Sequence, residues 1–230
     1  MSPDTNLDML APVSRVLSEH VADQLREAIV TDKLKPGQRI VEREIAEAMQ
    51  TSRGPVRDAL LLLESEGLVM RYAHRGTFVA ELTVEDVEEI YSLRRSIEAL
   101  AVQYIISRAT SADLDELDEL VKVMAAKVEA GYTISEATEL DMAFHRGLCR
   151  ISGHARALAA WEALSSQTRL LLLSRIKRRP RDFQEKAAVW HRRLADALRE
   201  RDLERAQDEL RLHMMSTLEA ITEDGEEELE

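Results

Sequence analysis

Cysteine is almost missing from the 230 residues: Cys149 stands alone. No intrachain disulfide can form, so a reducing, cytoplasmic compartment is the expectation. Aromatic residues supply only 4% of the chain against 45% apolar residues in all, so any core must be aliphatic. Glycine (8) and proline (5) are scarce, which leaves few breaks and favours helices. No stretch reaches the ~18 apolar residues of a membrane span, and the N-terminus carries no apolar leader, so no membrane partner is expected. A basic excess is missing too, since the net charge is -12. Residues 1–80 hold 10 Lys/Arg and 12 Asp/Glu (net -2), and residues 81–230 hold 21 and 31 (net -10). A nucleic-acid face must therefore be a local patch.

What is present is helical periodicity with one interruption. Residues 1–13 read as a flexible polar arm. Ser14 can cap a helix to about Thr31, with Val21, Leu25, Ala28 and Ile29 on one face, and "KPGQ" (35–38) ends it in a turn. "VEREIAEAM" is a short second helix. Ser52 opens a third, with Pro55 in its first turn and Gly67 at its end. "LVMRYAHRGTFVAEL" then reads as a two-stranded ribbon around "HRG". From Thr83, a capping-box start, the chain is expected to be helical at about 84–109, 112–130, 135–152, 155–174, 183–200 and 202–222, with Ser111 and Ser135 as further caps. The basic run "RIKRRPRD" (175–182) reads as a solvated loop, and 223–230 as a frayed acidic tail. The expected fold is mainly α: a winged helix-turn-helix over 14–80, then an all-α six-helix bundle over 81–222.

Helix, short helix, turn, helix, ribbon is the order of a winged helix-turn-helix, whose third helix enters the major groove by its N-terminus. In "TSRGPVRD" (51–58) that N-terminus carries Arg53, with Arg57 one turn on and the same face exposed to guanine edges. Helix-start N–H groups favour phosphate, and Gly54 leaves room for close approach. Arg43 sits on the bracing helix. His74, Arg75 and Gly76 form a ribbon tip suited to a minor groove or a phosphate. The plainer reading is a three-helix core with surface arginines. The stretch "LKPGQRIVEREIAEAMQTSRGPVRDALLLLESEGLVMRYAHRGTFVAEL" resembles the N-terminal domain of GntR-family bacterial transcription regulators, over about residues 15–80. The resemblance implies DNA contacts at Arg43, Ser52, Arg53, Gly54, Arg57 and Gly76, with Arg53 and Arg57 as base readers. Where that family often has Thr, this chain has Gly54, so one hydroxyl contact is in doubt.

The second constellation is "DMAFHRGL", "WHRRLADAL" and "RLHMM". Asp141 and His145 are i and i+4 and leave one helix face together, while His191 and His213 lie in apolar stripes of two other helices. A carboxylate and three imidazoles in a bundle core suit Zn²⁺, Ni²⁺, Mn²⁺ or Fe²⁺, one ion per chain. The plainer reading of any one of these residues is a hydrogen-bonded core or surface group, and spacing does not show that three helices converge. His20 and His154 fit no cluster and read as surface residues. The same segments resemble the FCD ligand-binding domain, the helical effector domain of the FadR subfamily, and six helices rather than seven point to its VanR-like group. That resemblance implies Asp141, His145, His191 and His213 as metal ligands, and a small carboxylate metabolite held by the ion and by Arg94, with Gln167 and Arg169 as further lining residues. The plainer role for Arg94 is an i,i+4 pair with Glu98. The expected molecule is a homodimeric, non-enzymatic repressor on double-stranded operator DNA. The rivals are a sensor of the ion itself, a metal that is only structural, and a metalloenzyme.

Overall fold

The computed structural model describes residues 13–31, 33–178 and 180–227, so the arm expected at 1–13 lies outside them but for Val13. The chain divides into two compact units, Met1–Glu81 and Leu82–Glu230.

The first unit contains α1 (Val13–Val30), β1 (Arg39–Ile40), α2 (Glu42–Ala48), α3 (Arg53–Ser65), β2 (Val69–Tyr72) and β3 (Gly76–Val79). The apolar stripe of α1 packs on α3: Val21, Leu25 and Ile29 are buried with Val56, Leu60 and Leu63. Burying each such side chain contributes roughly 1.5–3 kcal/mol. Gly67 takes φ +70 after α3, and the Leu68 amide reaches back to the Leu63 carbonyl at 2.9 Å. That is a Schellman ending, which favours glycine because no Cβ opposes the left-handed turn. The expected ribbon is a three-stranded sheet of order β1-β3-β2. β1 pairs antiparallel with β3, Arg39 opposite Phe78 and Ile40 opposite Thr77. Two residues are too short to show an alternation, which is why the pattern missed them.

The second unit holds α4 (Val84–Arg108), α5 (Ser111–Ala130), α6 (Ile134–Ile151), α7 (Ala155–Arg178), α8 (Pro180–Arg199) and α9 (Leu203–Glu227). α4 packs on α6, α7 and α9, and α5 on α6 and α8. Thr83 caps α4 in a capping box with Asp86. The caps of α5 and α6 are Thr110 and Thr133, not Ser111 and Ser135, because only the threonines stand three residues before a carboxylate, Asp113 and Glu136. "RIKRRPRD" is not an open loop: α7 runs to Arg178 and α8 starts at Pro180, with proline tolerated in a first turn. Arg175 is 4% exposed. α9 continues to Glu227, past the expected end at 222. Among the described residues no helix is long and apolar enough to cross a membrane.

Candidate DNA-reading helix and metal centre

Arg53 is the first residue of α3, and it, Gly54 and Arg57 are exposed. Arg53 makes no ion pair among the described residues, whereas Arg57 lies 3.4 Å from Glu42 and Arg43 3.7 Å from Glu47. Ser52 occupies the N-cap with extended backbone, but its hydroxyl makes no capping bond. Pro55, at the third helical position, has no N–H to give, which leaves only the Gly54 amide within a cap's reach, and the hydroxyl does not take it. Around Gly54 the space is open, and an added Cβ would meet only Ser52 Oγ, at 3.9 Å. The wing tip turns through His74 (φ +63) and Gly76 (φ +109). A Cβ at Gly76 would stand 3.2 Å from Arg39 Nε, so glycine fits there on both counts. His74 and Arg75 are exposed, and Arg75 lies 5.4 Å over the Tyr72 ring.

In the second unit three helices do converge. Asp141 and His145 of α6, His191 of α8 and His213 of α9 are buried, and one ligand atom from each lies within 4.8 Å of the others. Periodicity explains the convergence, because each residue sits in the apolar stripe that its helix buries. His191 Nε2 is 3.4 Å from Asp141 Oδ1, and His145 Nε2 is 3.8 Å from Asp141 Oδ2. His145 Nε2 and His213 Nε2 approach to 3.0 Å, a distance that two nitrogen lone pairs share only around a proton or a cation. His191 Nδ1 donates to the Ala187 carbonyl at 2.6 Å, which turns its Nε2 lone pair inward. Asp141 Oδ2, His191 Nε2 and His213 Nδ1 have no hydrogen-bond partner among the described residues. Asp141 Oδ2 and His191 Nε2 are acceptors left unpaired in a buried site, which costs about 1–3 kcal/mol each, so the donor set fits a divalent ion on structural grounds. Burial pushes His145 and His213 below the ordinary imidazole value, and for His213 the neighbouring His191 and His145 add to it. Burial alone would raise Asp141, but His145, His191 and Arg94 hold it well below the usual carboxylate range. Neutral imidazoles and a carboxylate are the ligand forms a metal needs.

Arg94 of α4 is also part of this site, together with Glu98, which sequence reasoning had placed only as its helix partner. Both are buried. Glu98 Oε1 accepts from Arg94 Nε at 2.7 Å and from Trp161 Nε1 at 2.9 Å. Glu98 Oε2 is 2.6 Å from His145 Nδ1. Burial would raise Glu98, yet His145 and Arg94 bring it below its ordinary value. Arg94 Nη2 forms an ion pair with Asp141 Oδ2 at 3.9 Å, too far for a hydrogen bond, and has no hydrogen-bond partner among the described residues. The buried Tyr91 hydroxyl is likewise unpartnered, and burial pushes it up to about 12 against the pull of Arg94. The sequence shows only that Arg94 and Glu98 interrupt the apolar positions of α4 on the face that carries Ile90, Ile97 and Ala101; it does not show what Glu98 meets there.

The other two expected lining residues, Gln167 and Arg169, lie on α7. Arg169 grips Glu139 of α6 with its guanidinium, one contact at 3.0 Å, and Gln167 is half-buried on α7. Neither is among the residues of the narrow pocket of about 20 Å³ that reaches Asp141 and His191 between Met124, Val128, Leu140 and Ala187. His154 is not a bare surface residue: its Nδ1 accepts from the Ala157 amide at 3.1 Å at the start of α7.

A winged helix-turn-helix followed by a helical domain with a buried polar centre is the architecture that the comparisons with known proteins assign to DNA-binding transcription regulators. Residues 17–79 match the family of bacterial regulatory proteins named gntR, and residues 89–216 match the FCD domain. The chain is 30% identical over 209 residues to the uncharacterized HTH-type transcriptional regulator YdhC of Bacillus subtilis (strain 168), covering 89% of this chain and 92% of that one. It is 30% identical to the gluconate operon transcriptional repressor of Bacillus licheniformis, over 71% of this chain and 68% of that one. The solved structure of McbR/YncC from E. coli has the same fold, with a TM-score of 0.75 at 23% identity over 94% of this chain and 99% of that one. The protein belongs to the GntR family and carries an FCD domain.

Proposed function

We propose that the protein is a cytoplasmic, homodimeric repressor whose operator affinity is set by a small carboxylate metabolite bound beside a divalent ion in the second unit. One observation carries this reading. At this centre the buried polar atoms without a hydrogen-bond partner among the described residues include two chemical sets: Asp141 Oδ2 and His191 Nε2 offer lone pairs, while Arg94 Nη2 and the Tyr91 hydroxyl offer protons. A cation answers the first set only. An acid's oxygens answer the second, so sensing of the ion alone or a purely structural ion leaves Arg94 and Tyr91 unexplained.

Asp141, His145, His191 and His213 would hold the ion, of the class Zn²⁺, Ni²⁺, Mn²⁺ or Fe²⁺. When bound, the ion supplies a Lewis-acid position for one carboxylate oxygen. Arg94 binds the acid through its free Nη2 edge, since Nε is committed to Glu98. The surrounding aliphatic side chains keep water out. The name of the Bacillus licheniformis relative, taken from an operon for an organic acid, supports the ligand class. Two copies of α3 read a pseudo-palindrome through Arg53 and Arg57, while Arg43, Ser52, Gly54 and the His74–Gly76 tip meet backbone. Acid binding against α4 lowers DNA affinity, and by linkage DNA lowers acid affinity by the same factor.

The test uses Zn²⁺-loaded and chelator-stripped protein, an operator selected from a random DNA pool, and a panel of small mono- and dicarboxylic acids. One acid should raise the melting temperature of loaded protein only, have no effect on Arg94→Ala, and weaken operator binding about 5–150-fold. Operator binding that ignores every acid and the chelator contradicts the reading.

A further inference from the structure

We infer that Glu98 is the positioning residue of this centre, a single carboxylate whose two oxygens orient the metal ligand His145 and the acid-binding Arg94. The inference rests on the metal reading above and adds the device that aligns it.

Glu98 is 0% exposed and sits among Ile97, Ala101 and Val102 on the core face of α4. A buried carboxylate is costly unless fully hydrogen-bonded, and packing alone would favour an apolar residue there. Instead three donors from three helices surround it: Arg94 Nε of α4, Trp161 Nε1 of α7 and His145 Nδ1 of α6. The labour is divided by oxygen. Oε1 takes both Arg94 and Trp161, and Oε2 is left for His145 alone. Donation from Nδ1 fixes the ring as the tautomer whose Nε2 carries a lone pair, and that Nε2 is the atom facing Asp141 and His213. In the other tautomer an N–H would point at the cation.

The same carboxylate restrains Arg94. Its Nη2 stands at ion-pair distance from Asp141 Oδ2, 3.9 Å, and does not close to a hydrogen bond. Glu98, by holding Nε, fixes the guanidinium at that separation beside the site.

Glu98→Gln tests this in the full chain. Two N–H donors on one side draw the amide oxygen, so the amide NH₂ faces His145 Nδ1 and forces the proton to Nε2. The readouts are histidine ¹⁵N shifts in metal-free protein, Zn²⁺ affinity by competition with a chromophoric chelator, and circular dichroism for folding. The expected result is Nδ1–H at His145 in wild type, Nε2–H in Glu98→Gln, and Zn²⁺ affinity lower by about 10–100-fold. Trp161→Phe removes a donor from Oε1 but leaves Oε2 on His145, so it should keep the wild-type tautomer and affinity. A folded Glu98→Gln with wild-type tautomer and affinity overturns the inference. So does Nε2–H at His145 in wild type, a result that needs no variant to fold. Failure of wild type to bind Zn²⁺ would instead sink the metal reading, and the tautomer would still decide the role of Glu98.

Discussion

Ser52 and Pro55 stand three residues apart at the start of α3, where the proline removes one of the two N–H groups that a cap can accept and the serine hydroxyl makes no capping bond. An N-cap serine replaced by alanine ordinarily costs about 0.5–2 kcal/mol of stability. Here Ser52→Ala should cost almost none in urea unfolding while still weakening operator binding. A full capping penalty would show that the hydroxyl serves the helix and not DNA.

Arg53 is exposed and makes no ion pair among the described residues, so its removal should leave the fold intact. Arg53→Ala should lose about 1–3 kcal/mol of specific operator binding, with relaxed sequence preference at one position of each half-site. Wild-type affinity in fluorescence anisotropy would mean that α3 is not the reading helix.

Gly54 lies inside α3 with open space around it and no positive φ. Gly54→Ala should therefore raise stability by about 0.5–1 kcal/mol, the usual gain of alanine over glycine in a helix. A loss would reveal a close contact that the isolated chain does not show.

Arg201 holds the end of α4 from the turn before α9. Its Nη1 donates to the Ile105 carbonyl at 2.7 Å, and Nη2 reaches Ala109. Its own φ is +59, a strained value for a non-glycine residue. Arg201→Ala should cost roughly 1–2 kcal/mol, and Arg201→Gly about 1 kcal/mol less than that because glycine relieves the backbone. Equal losses in thermal unfolding would show that the backbone strain is immaterial.

The metal-free protein should lose stability in mild acid. His213 and His145 are held below their ordinary values, by burial first. The unfolded chain therefore binds more protons below about pH 6.5, and stability, full above it, falls as pH drops through that value, by at most about 1.4 kcal/mol per pH unit per histidine. A flat profile between about pH 7.5 and 5.5 in chelator would mean that the two imidazoles titrate normally.

Much of this was legible in the sequence because helices announce themselves over many residues. The stripe of α1, the end of α3 at Gly67 and the start of α4 at Thr83 each rest on several agreeing local signals. What escaped rests on one or two residues or on tertiary contacts. β1 is two residues long. The caps slipped by one and two positions because serine was weighed without its carboxylate partner. Arg175 read as solvated because its charge was counted without the helix that buries it. The four candidate ligands could be named from spacing and resemblance, but their meeting within 4.8 Å could not. Glu98 needed the fold, since its partners Trp161 and His145 lie 63 and 47 residues away.

The central claim is that Asp141, His145, His191 and His213 hold an ion. Elemental analysis of protein purified without a His-tag or chelating resin tests it most directly, for wild type and for His191→Ala. The account predicts about one tightly held divalent ion per wild-type chain and its loss in a folded His191→Ala. No metal in folded wild type, even after addition of Zn²⁺, Ni²⁺ or Mn²⁺, would contradict it and leave the four residues as polar groups of the core.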